Sequence, residues 1–181
     1  MKVIPTPLND CYEIEVTMYG DQRGFFMEAF NKERLKEAIN FDLDVSQVNF
    51  AGSSKGVLRG LHYQADPFAQ TKLVGVTRGS VLDVVVDLRK DSSTFMQSHQ
   101  VELDHVGKLF LVPKGFAHGY YTRTDDTLFY YFVDAPYSKD HEHGIIYNDT
   151  DLNIDWKLDG EPIVSDKDLR QPKLMEQKVL F

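Results

Sequence analysis

The chain has 181 residues, of which 42% are hydrophobic and 12% aromatic, and a formal net charge of -8. This composition excludes a disordered chain, and the length fits one domain with a sizeable core over residues 1–181. The negative charge argues against non-specific binding to nucleic acid or to an anionic membrane surface. Basic residues concentrated locally can still bind a small anion.

The N-terminus and the cysteine count indicate the compartment. Residues 1–10 lack the continuous apolar run of a signal peptide, and no stretch approaches the length that spans a bilayer. Cys11 is the only cysteine, which forbids an intrachain disulfide and a cage of thiolate metal ligands. We therefore expect a cytoplasmic protein that does not associate with membranes.

The first fifty residues predict strands around one short helix. Residues 12–18 alternate apolar and polar side chains, which predicts a half-buried strand that ends at a turn over residues 20–21. Residues 21–30 resume as a strand. Apolar residues spaced four apart then predict an amphipathic helix over residues 32–39, and residues 45–50 predict a further strand.

The centre of the chain predicts a hairpin that carries two charged side chains. Residues 72–78 and 81–88 are largely β-branched and apolar, and the Gly-Ser pair at 79–80 has the composition of a tight turn. On these strands Lys72 and Asp83 each share a face with valines. A carboxylate in that position is costly unless it is paired, so Asp83 should contact an imidazole or an arginine.

Arg59 and His62 stand just before this predicted hairpin. They are three residues apart, which on an ideal strand places their side chains on opposite faces. Both reach one site only if a bend or bulge at Gly60 intervenes. A single histidine in strand-like sequence is more often structural than catalytic, so the spacing alone leaves both interpretations open.

Short strands continue beyond the centre. Alternating or apolar residues predict strands over 100–103, 108–112 and 127–133, with a turn at 113–115. A pattern typical of a capping box at 165–168 predicts a short helix in the tail. Close-spaced strands broken by Gly and Pro favour an antiparallel sandwich or barrel over alternating β and α units.

Motifs along nearly the whole chain resemble one family, the dTDP-4-dehydrorhamnose 3,5-epimerases. The segments that carry the resemblance, in order, are DQRGFFMEAF at 21–30, QVNF at 47–50, GVLRGLHYQ at 56–64, QTKLVGVTRGSVLDVVVDLRKDS at 70–92, VPKGFAHGY at 112–120, GIIYND at 144–149 and VSDKDLRQP at 164–172. The resemblance implies an all-β fold, a cupin-type antiparallel barrel (jelly roll) with short peripheral helices and a short helical C-terminal tail. It also implies a homodimer that works without a metal or a cofactor.

The resemblance further implies a reaction. The family inverts C3 and C5 of dTDP-4-dehydro-6-deoxy-D-glucose to give dTDP-4-dehydro-L-rhamnose, a precursor for cell-surface polysaccharide such as lipopolysaccharide. By resemblance His62 is the base, Tyr131 is the proton donor on the opposite face, and Lys72 stands at the C4 oxygen. Asp168 matches the carboxylate that orients His62, and Asp83 is the alternative in this sequence.

Ten further residues match positions that bind the nucleotide sugar: Arg23, Phe26, Glu28, Gln47, Asn49, Arg59, His118, Tyr137, Glu142 and Lys167. The resemblance implies that Tyr137 stacks on the thymine base and that Arg59 lies near the sugar or the diphosphate. Because the family exchanges N-terminal strands between subunits, the first three are expected to serve the neighbour's site. Without the resemblance, Gln47, Asn49 and Glu142 are more typical of a solvated surface.

Three alternatives stay open at this point. Relatives include enzymes that epimerise only C3 or only C5, and a cupin can bind a sugar without catalysis. A metal-dependent cupin oxygenase is the third. It is disfavoured because His62 and His118 stand apart in the sequence, whereas such sites usually need three protein ligands.

Overall fold

The computed structural model describes residues 1–181 and consists mainly of antiparallel strands. In chain order the strands are β1 (Lys2–Pro5), β2 (Tyr12–Glu15), β3 (Met18–Asp21), β4 (Gly24–Met27), β5 (Gln47–Ser53), β6 (Val57–Gln64), β7 (Lys72–Arg78), β8 (Val81–Asp87), β9 (Ser98–Leu103), β10 (Lys108–Val112), β11 (Phe116–Thr122), β12 (Thr127–Val133), β13 (Glu142–Gly144) and β14 (Ile163–Val164). The helices are α1 (Lys32–Ile39) and three 3₁₀ helices at Lys139–His141, Asp168–Arg170 and Leu174–Glu176.

Two sheets face each other and enclose the core. The first has the order β1-β2-β10-β7-β12-β5, and the second has the order β13-β6-β11-β8-β9, with β14 parallel beside β6. Strands of both sheets contribute to one buried apolar cluster, which includes Val74, Val85, Phe110 and Phe129. The predicted all-β, cupin-type architecture is therefore confirmed.

Each sheet is also covered on its outer face. Leu35 of α1 and Leu43 pack against the first sheet, in a cluster that contains Tyr130 of β12. The C-terminal segment covers the second sheet with Trp156 and Leu174. Because both faces of each sheet are covered, the central strands read as continuous apolar runs.

The predicted pairing of residues 72–78 with residues 81–88 is wrong. β7 pairs with β10 and β12 in the first sheet, while β8 pairs with β9 and β11 in the second, so Gly79 turns the chain from one sheet to the other. Gly79 has a φ of 79°, and a Cβ there would lie 2.2 Å from Oγ1 of Thr127. A corner between two sheets thus requires the same small residues as a hairpin turn. For this reason the composition of residues 79–80 alone predicted a hairpin.

The predicted turn at residues 20–21 is also misplaced. The single strand expected over residues 12–18 is divided between β2 and β3, and β3 pairs with β4 in a separate hairpin that turns after Asp21. The Asp21 carboxylate accepts a hydrogen bond from the Arg23 backbone N–H at 2.8 Å and contacts the Arg23 guanidinium. An Asp side chain that closes its own turn in this way sets where the chain reverses.

Other local predictions are confirmed. The predicted strands over 108–112 and 127–133 correspond to β10 and β12, and α1 has the predicted bounds. The strand expected over 45–50 begins two residues later and extends to Ser53. The short helix expected in the tail is the 3₁₀ helix Asp168–Arg170, where the Asp168 N–H donates to Oγ of Ser165 at 3.1 Å.

The one α-helix has eight residues, and none of the helices has the length and apolarity needed to cross a bilayer.

Candidate active site

A cavity of about 580 Å³ lies in the barrel and is lined by residues of both sheets and of the C-terminal segment. Nine of the predicted site residues line it: Arg59, His62, Lys72, His118, Tyr131, Tyr137, Glu142, Lys167 and Asp168. Positive charge from Arg59, Lys72 and Lys167 therefore converges on one cavity of an acidic protein. This is the local concentration of cations that an anionic ligand requires.

His62 and Asp168 form a hydrogen-bonded pair in this cavity. Nε2 of His62 lies 2.7 Å from Oδ1 of Asp168, although 106 residues separate them in the chain. Asp168 is buried, and its Oδ2 accepts a hydrogen bond from the Gly60 N–H at 3.3 Å. Burial alone would raise the pKa of Asp168, but the hydrogen bond from His62 holds that pKa below its usual range.

This contact fixes the state of the imidazole. A carboxylate accepts hydrogen bonds, so in neutral His62 the proton resides on Nε2. Nδ1 then carries the lone pair and is the nitrogen able to take a proton from a ligand. Of the two carboxylates considered from sequence, Asp168 contacts His62 and Asp83 does not.

A β-bulge at Gly60 brings Arg59 and His62 to the same cavity. His62 is opposite His118 on β11, and Arg59 is opposite Tyr120, so one residue of β11 faces two of β6. Gly60 has a φ of 118°, and a Cβ there would lie 2.6 Å from the Cα of Gly119. The bend that the sequence spacing requires is therefore confirmed, and glycine is needed because the two strands touch at this point.

Lys72 supplies a cation to the cavity from the first sheet. Its Nζ donates to Oε1 of Gln70 at 3.1 Å and lies 5.8 Å from the ring centroid of Tyr131. Burial lowers the pKa of Lys72 to about 8, and nearby carboxylates, foremost that of Glu142, only partly oppose this. Gln70 lines the cavity and was not predicted. It lies just before β7, and its spacing of two from Lys72 was the one available signal, because side chains two apart in an extended segment point to the same side.

Asp83 finds the imidazole partner that its position among valines predicts. Its Oδ2 lies 2.9 Å from Nε2 of His118, and Asp83 is fully buried. Burial raises the pKa of Asp83, while His118 and Lys72 pull it down. His118 therefore lines the cavity with one ring nitrogen already engaged, which limits it to a single contact with a ligand.

Tyr131 lies on β12 of the first sheet, whereas His62 lies on β6 of the second. Burial raises the pKa of Tyr131, and the Arg59 charge only partly opposes this. The phenol is therefore protonated around neutral pH and can act as a proton donor. A base and an acid thus enter the same cavity from different sheets.

Three of the cavity-lining residues, Tyr137, Glu142 and Lys167, form a connected group. The Tyr137 hydroxyl donates to Oε2 of Glu142 at 2.8 Å, and Nζ of Lys167 lies 2.6 Å from the same oxygen. Burial opposes ionisation of Glu142, but the hydrogen bonds from Lys167 and Tyr137 hold its pKa below the usual range. Tyr137 is 56% exposed, so its ring is available to a ligand.

The other five predicted residues do not line the cavity. Gln47 and Asn49 lie close to it on β5. Oε1 of Gln47 accepts a hydrogen bond from the Tyr137 N–H at 3.4 Å, and Nε2 of Gln47 donates one to Oδ1 of Asn49 at 2.7 Å. Arg23 and Phe26 are exposed on the β3–β4 hairpin. Glu28, just after it, forms an ion pair with Arg34 of α1. Within one chain, the hairpin residues are therefore separate from the site.

No three His, Cys, Asp or Glu side chains converge in a group that could hold a metal ion. The two histidines of the cavity are instead each hydrogen-bonded to a carboxylate, His62 to Asp168 and His118 to Asp83.

Comparison with known proteins identifies the family. A family model described as dTDP-4-dehydrorhamnose 3,5-epimerase matches residues 5–176. The dTDP-4-dehydrorhamnose 3,5-epimerase of Shigella flexneri is 44% identical over 177 residues, which cover 97% of each chain. The crystal structure of the Legionella pneumophila enzyme RmlC in complex with dTDP-4-keto-L-rhamnose is 41% identical, with a TM-score of 0.93 over 97% of this chain and 93% of that one.

A relative with a narrower reaction also matches. ChmJ of Streptomyces bikiniensis, a 3'-monoepimerase solved with dTDP-quinovose, is 35% identical, with a TM-score of 0.89 over 94% of this chain and 87% of that one. The match to the family model nevertheless spans almost the whole sequence, and the curated relatives that agree over their full length bear the same name. The chain belongs to the dTDP-4-dehydrorhamnose 3,5-epimerase family.

Proposed function

We propose that this protein inverts C3 and C5 of dTDP-4-dehydro-6-deoxy-D-glucose to give dTDP-4-dehydro-L-rhamnose. One arrangement supports this above all: the His62–Asp168 pair and the Tyr131 phenol enter one cavity from different sheets, together with the Lys72 ammonium. Inversion at a carbon next to a carbonyl needs a base, an acid on the other face, and a positive group at the enolate oxygen. Each requirement has one residue to meet it.

The first step is loss of a carbon-bound proton. Nδ1 of His62 takes the proton from C3 or C5, and the electron pair of that C–H bond moves into the carbonyl to form an enolate. The imidazolium that forms is stabilised by the Asp168 carboxylate, which already holds Nε2. Because C3 and C5 both flank the C4 carbonyl, one base and one oxygen site serve both carbons.

The second step returns a proton on the other face. Negative charge develops on the C4 oxygen, where the ammonium of Lys72, which lines the cavity, stabilises it. Tyr131 then gives its phenolic proton to the carbon, which inverts the configuration. Solvent afterwards restores the proton of Tyr131 and removes the one held by His62.

The nucleotide half of the substrate is assigned to the connected group of Tyr137, Glu142 and Lys167. The exposed ring of Tyr137 can stack on the thymine base, a contact worth about 1 to 3 kcal/mol by analogy with single-strand binders. Arg59 and Lys167 supply charge for the diphosphate. In the free protein, Arg59 donates to the Gly52 carbonyl at 3.1 Å, a weak partner that a phosphate oxygen can replace.

Deuterium exchange tests the proposed reaction directly. We expect the wild-type protein in D₂O to incorporate deuterium at both C3 and C5 of the keto sugar, as read by proton NMR, with a downstream reductase and NADPH to trap the product. Exchange at one carbon alone would instead establish a C3-only or C5-only epimerase. Tight binding without exchange would indicate a cupin sugar binder or a different keto sugar.

We also propose that the whole chain acts as one unit of a cytoplasmic homodimer in which the β3–β4 hairpin reaches the partner's site. The hairpin forms a two-stranded sheet of its own and exposes Tyr19, Phe25 and Phe26 at 63%, 56% and 70%. β5 is the end strand of its sheet and exposes Phe50 at 63%. An aromatic hairpin and an unpaired, aromatic sheet edge are the two halves of an exchanged-strand contact.

A charge on the hairpin is expected to separate the subunits. Phe25→Asp should sediment as a monomer at micromolar concentration and bind the nucleotide sugar more weakly, because Arg23 and Glu28 leave the partner's cavity. Met175→Asp, at an apolar side chain that is 70% exposed outside the hairpin, should leave both properties unchanged. A monomeric wild-type protein, or a monomeric variant with unchanged affinity, would contradict the exchange.

A further inference from the structure

The segment that carries Tyr137 is held by side chains and not by backbone bonds. Residues 134–138 connect β12 to the 3₁₀ helix at Lys139–His141, and residues 134–137 make no backbone–backbone hydrogen bond. Tyr137 is exposed and belongs to none of the buried apolar clusters. The hydrogen bond from its hydroxyl to Glu142 fixes only the tip of the side chain. The position of the ring therefore depends on what holds the backbone beneath it.

Gln64 supplies most of that support. It is the last residue of β6, lines the cavity and is buried. Its Nε2 donates to the Pro136 carbonyl at 3.1 Å, and its Oε1 accepts from the Ser138 N–H at 2.7 Å, so one carboxamide bonds the backbone on both sides of Tyr137. Nε2 also donates to the Phe68 carbonyl at 2.7 Å, which uses the second amide proton. The Gln64 side chain is thereby fixed within the chain itself.

Two other glutamines bond the same segment. Nε2 of Gln70 donates to the Ala135 carbonyl at 2.8 Å, and Oε1 of Gln47 accepts from the Tyr137 N–H at 3.4 Å. Each of these side chains bonds one backbone group of the segment, whereas Gln64 bonds two. Side-chain amides thus take the place of the backbone bonds that residues 134–137 lack, and Gln64 makes the largest contribution.

We propose that Gln64 is a positioning residue that holds the Tyr137 ring ready to stack on the nucleotide base. This inference rests on the proposed function, which assigns the base to Tyr137. A ring that already occupies its bound position loses less conformational entropy on binding, so preorganisation raises affinity without any new contact. Gln64 should therefore affect nucleotide affinity. It should leave the proton transfers, in which it takes no part, unchanged.

Calorimetric titration with dTDP tests this role. Methionine is close to glutamine in size and can make none of the three hydrogen bonds of Gln64. Gln64→Met should bind dTDP roughly 2- to 10-fold more weakly than wild type, the range for ordering one side chain on binding. Tyr137→Ala should bind it roughly 5- to 150-fold more weakly, the range for one stacked base. In the double variant Gln64→Met should add no further loss, because the ring that it positions is absent.

Gln100 of β9 provides the matched control. Its Nε2 donates to the Asp155 carbonyl at 2.7 Å, so it also bonds a loop carbonyl, but it does not line the cavity. Gln100→Met should bind dTDP as wild type does. With the keto sugar as substrate, Gln64→Met should raise KM and keep kcat, whereas a distorted catalytic centre would lower kcat and contradict the proposal.

Hydrogen exchange on the wild-type protein tests the same idea without a variant. The Ser138 amide, which donates to Oε1 of Gln64, should exchange slowly in the free protein, and dTDP should change its rate little. Fast exchange in the free protein that dTDP slows strongly would mean that the ligand orders the segment, and Gln64 would then not preorganise it.

Two results with the variants would also overturn the assignment. Unchanged affinity of Gln64→Met for dTDP would mean that the ring needs no such support. A loss of equal size with and without the Tyr137 ring would mean that Gln64 acts on binding by another route. Failure of the proposed function is separate, since wild-type protein that binds dTDP but exchanges no deuterium into the keto sugar would refute the epimerase and leave the dTDP comparison intact.

Discussion

His62→Ala should lose deuterium exchange at both C3 and C5 and should lose turnover by roughly 100- to 10,000-fold, the range for a removed general base. The reason is geometric. His62 and His118 each have one ring nitrogen held by a carboxylate, but the His62 side chain is 32% exposed and that of His118 only 10%, so His62 is the imidazole that a ligand can reach. The two exchanges are read separately by proton NMR of the keto sugar in D₂O.

His105→Ala is the matched control for this substitution. His105 is half-exposed, lies in the turn before β10 and contacts Glu15 at 3.7 Å, and it does not line the cavity. It should keep wild-type exchange at both carbons. If His62→Ala retained exchange at one carbon, a second base would serve that carbon and the proposal of a single base would be wrong.

Local sequence patterns predicted individual elements well. The alternation along residues 127–133, the apolar run over 108–112 and the spacing of α1 each gave the observed bounds, because side-chain periodicity reflects which face is buried. The same logic anticipated that Asp83 needs a partner and that Gly60 needs a bend. These inferences depend only on the alternation of side chains along a strand and on residues close together in sequence.

Pairing between strands could not be predicted in the same way. Gly79 and Ser80 suit a hairpin and a sheet corner equally. What decides is tertiary: β7 and β8 belong to different sheets, each of which is covered on both faces. Likewise, nothing local distinguishes Asp168 from Asp83 as the partner of His62. The contact between residues 106 apart arises when the C-terminal segment folds against β6.

Gln70 shows a second limit of the sequence. Nothing local marks this residue, and its place in the site follows only from its hydrogen bond to Lys72 in the fold. Resemblance to a family transfers the functional positions that relatives share. It carries no information about a contact made outside those positions.

Lys72→Met should reduce turnover by roughly 100- to 1000-fold, as expected when one donor to a developing oxyanion is removed. Methionine keeps the length and apolar stem of the side chain, so the loss reports the charge. Binding of dTDP should change little, because Lys72 is assigned to the sugar. Lys55→Met, at an exposed ion pair with Asp159, should behave as wild type. Unimpaired turnover in Lys72→Met would remove the residue from the mechanism.

The pH dependence provides an independent check on the same residue. Burial lowers the pKa of Lys72 to about 8, so the ammonium is present below that pH and is lost as pH rises through it. We therefore expect kcat/KM of the wild-type protein to fall above about pH 8. Tyr131 does not account for that fall, because burial raises the pKa of its phenol and the proton donor persists to higher pH. In Lys72→Met the residual kcat/KM should not fall above pH 8. If it still fell there, a group other than Lys72 would be responsible for the pH dependence.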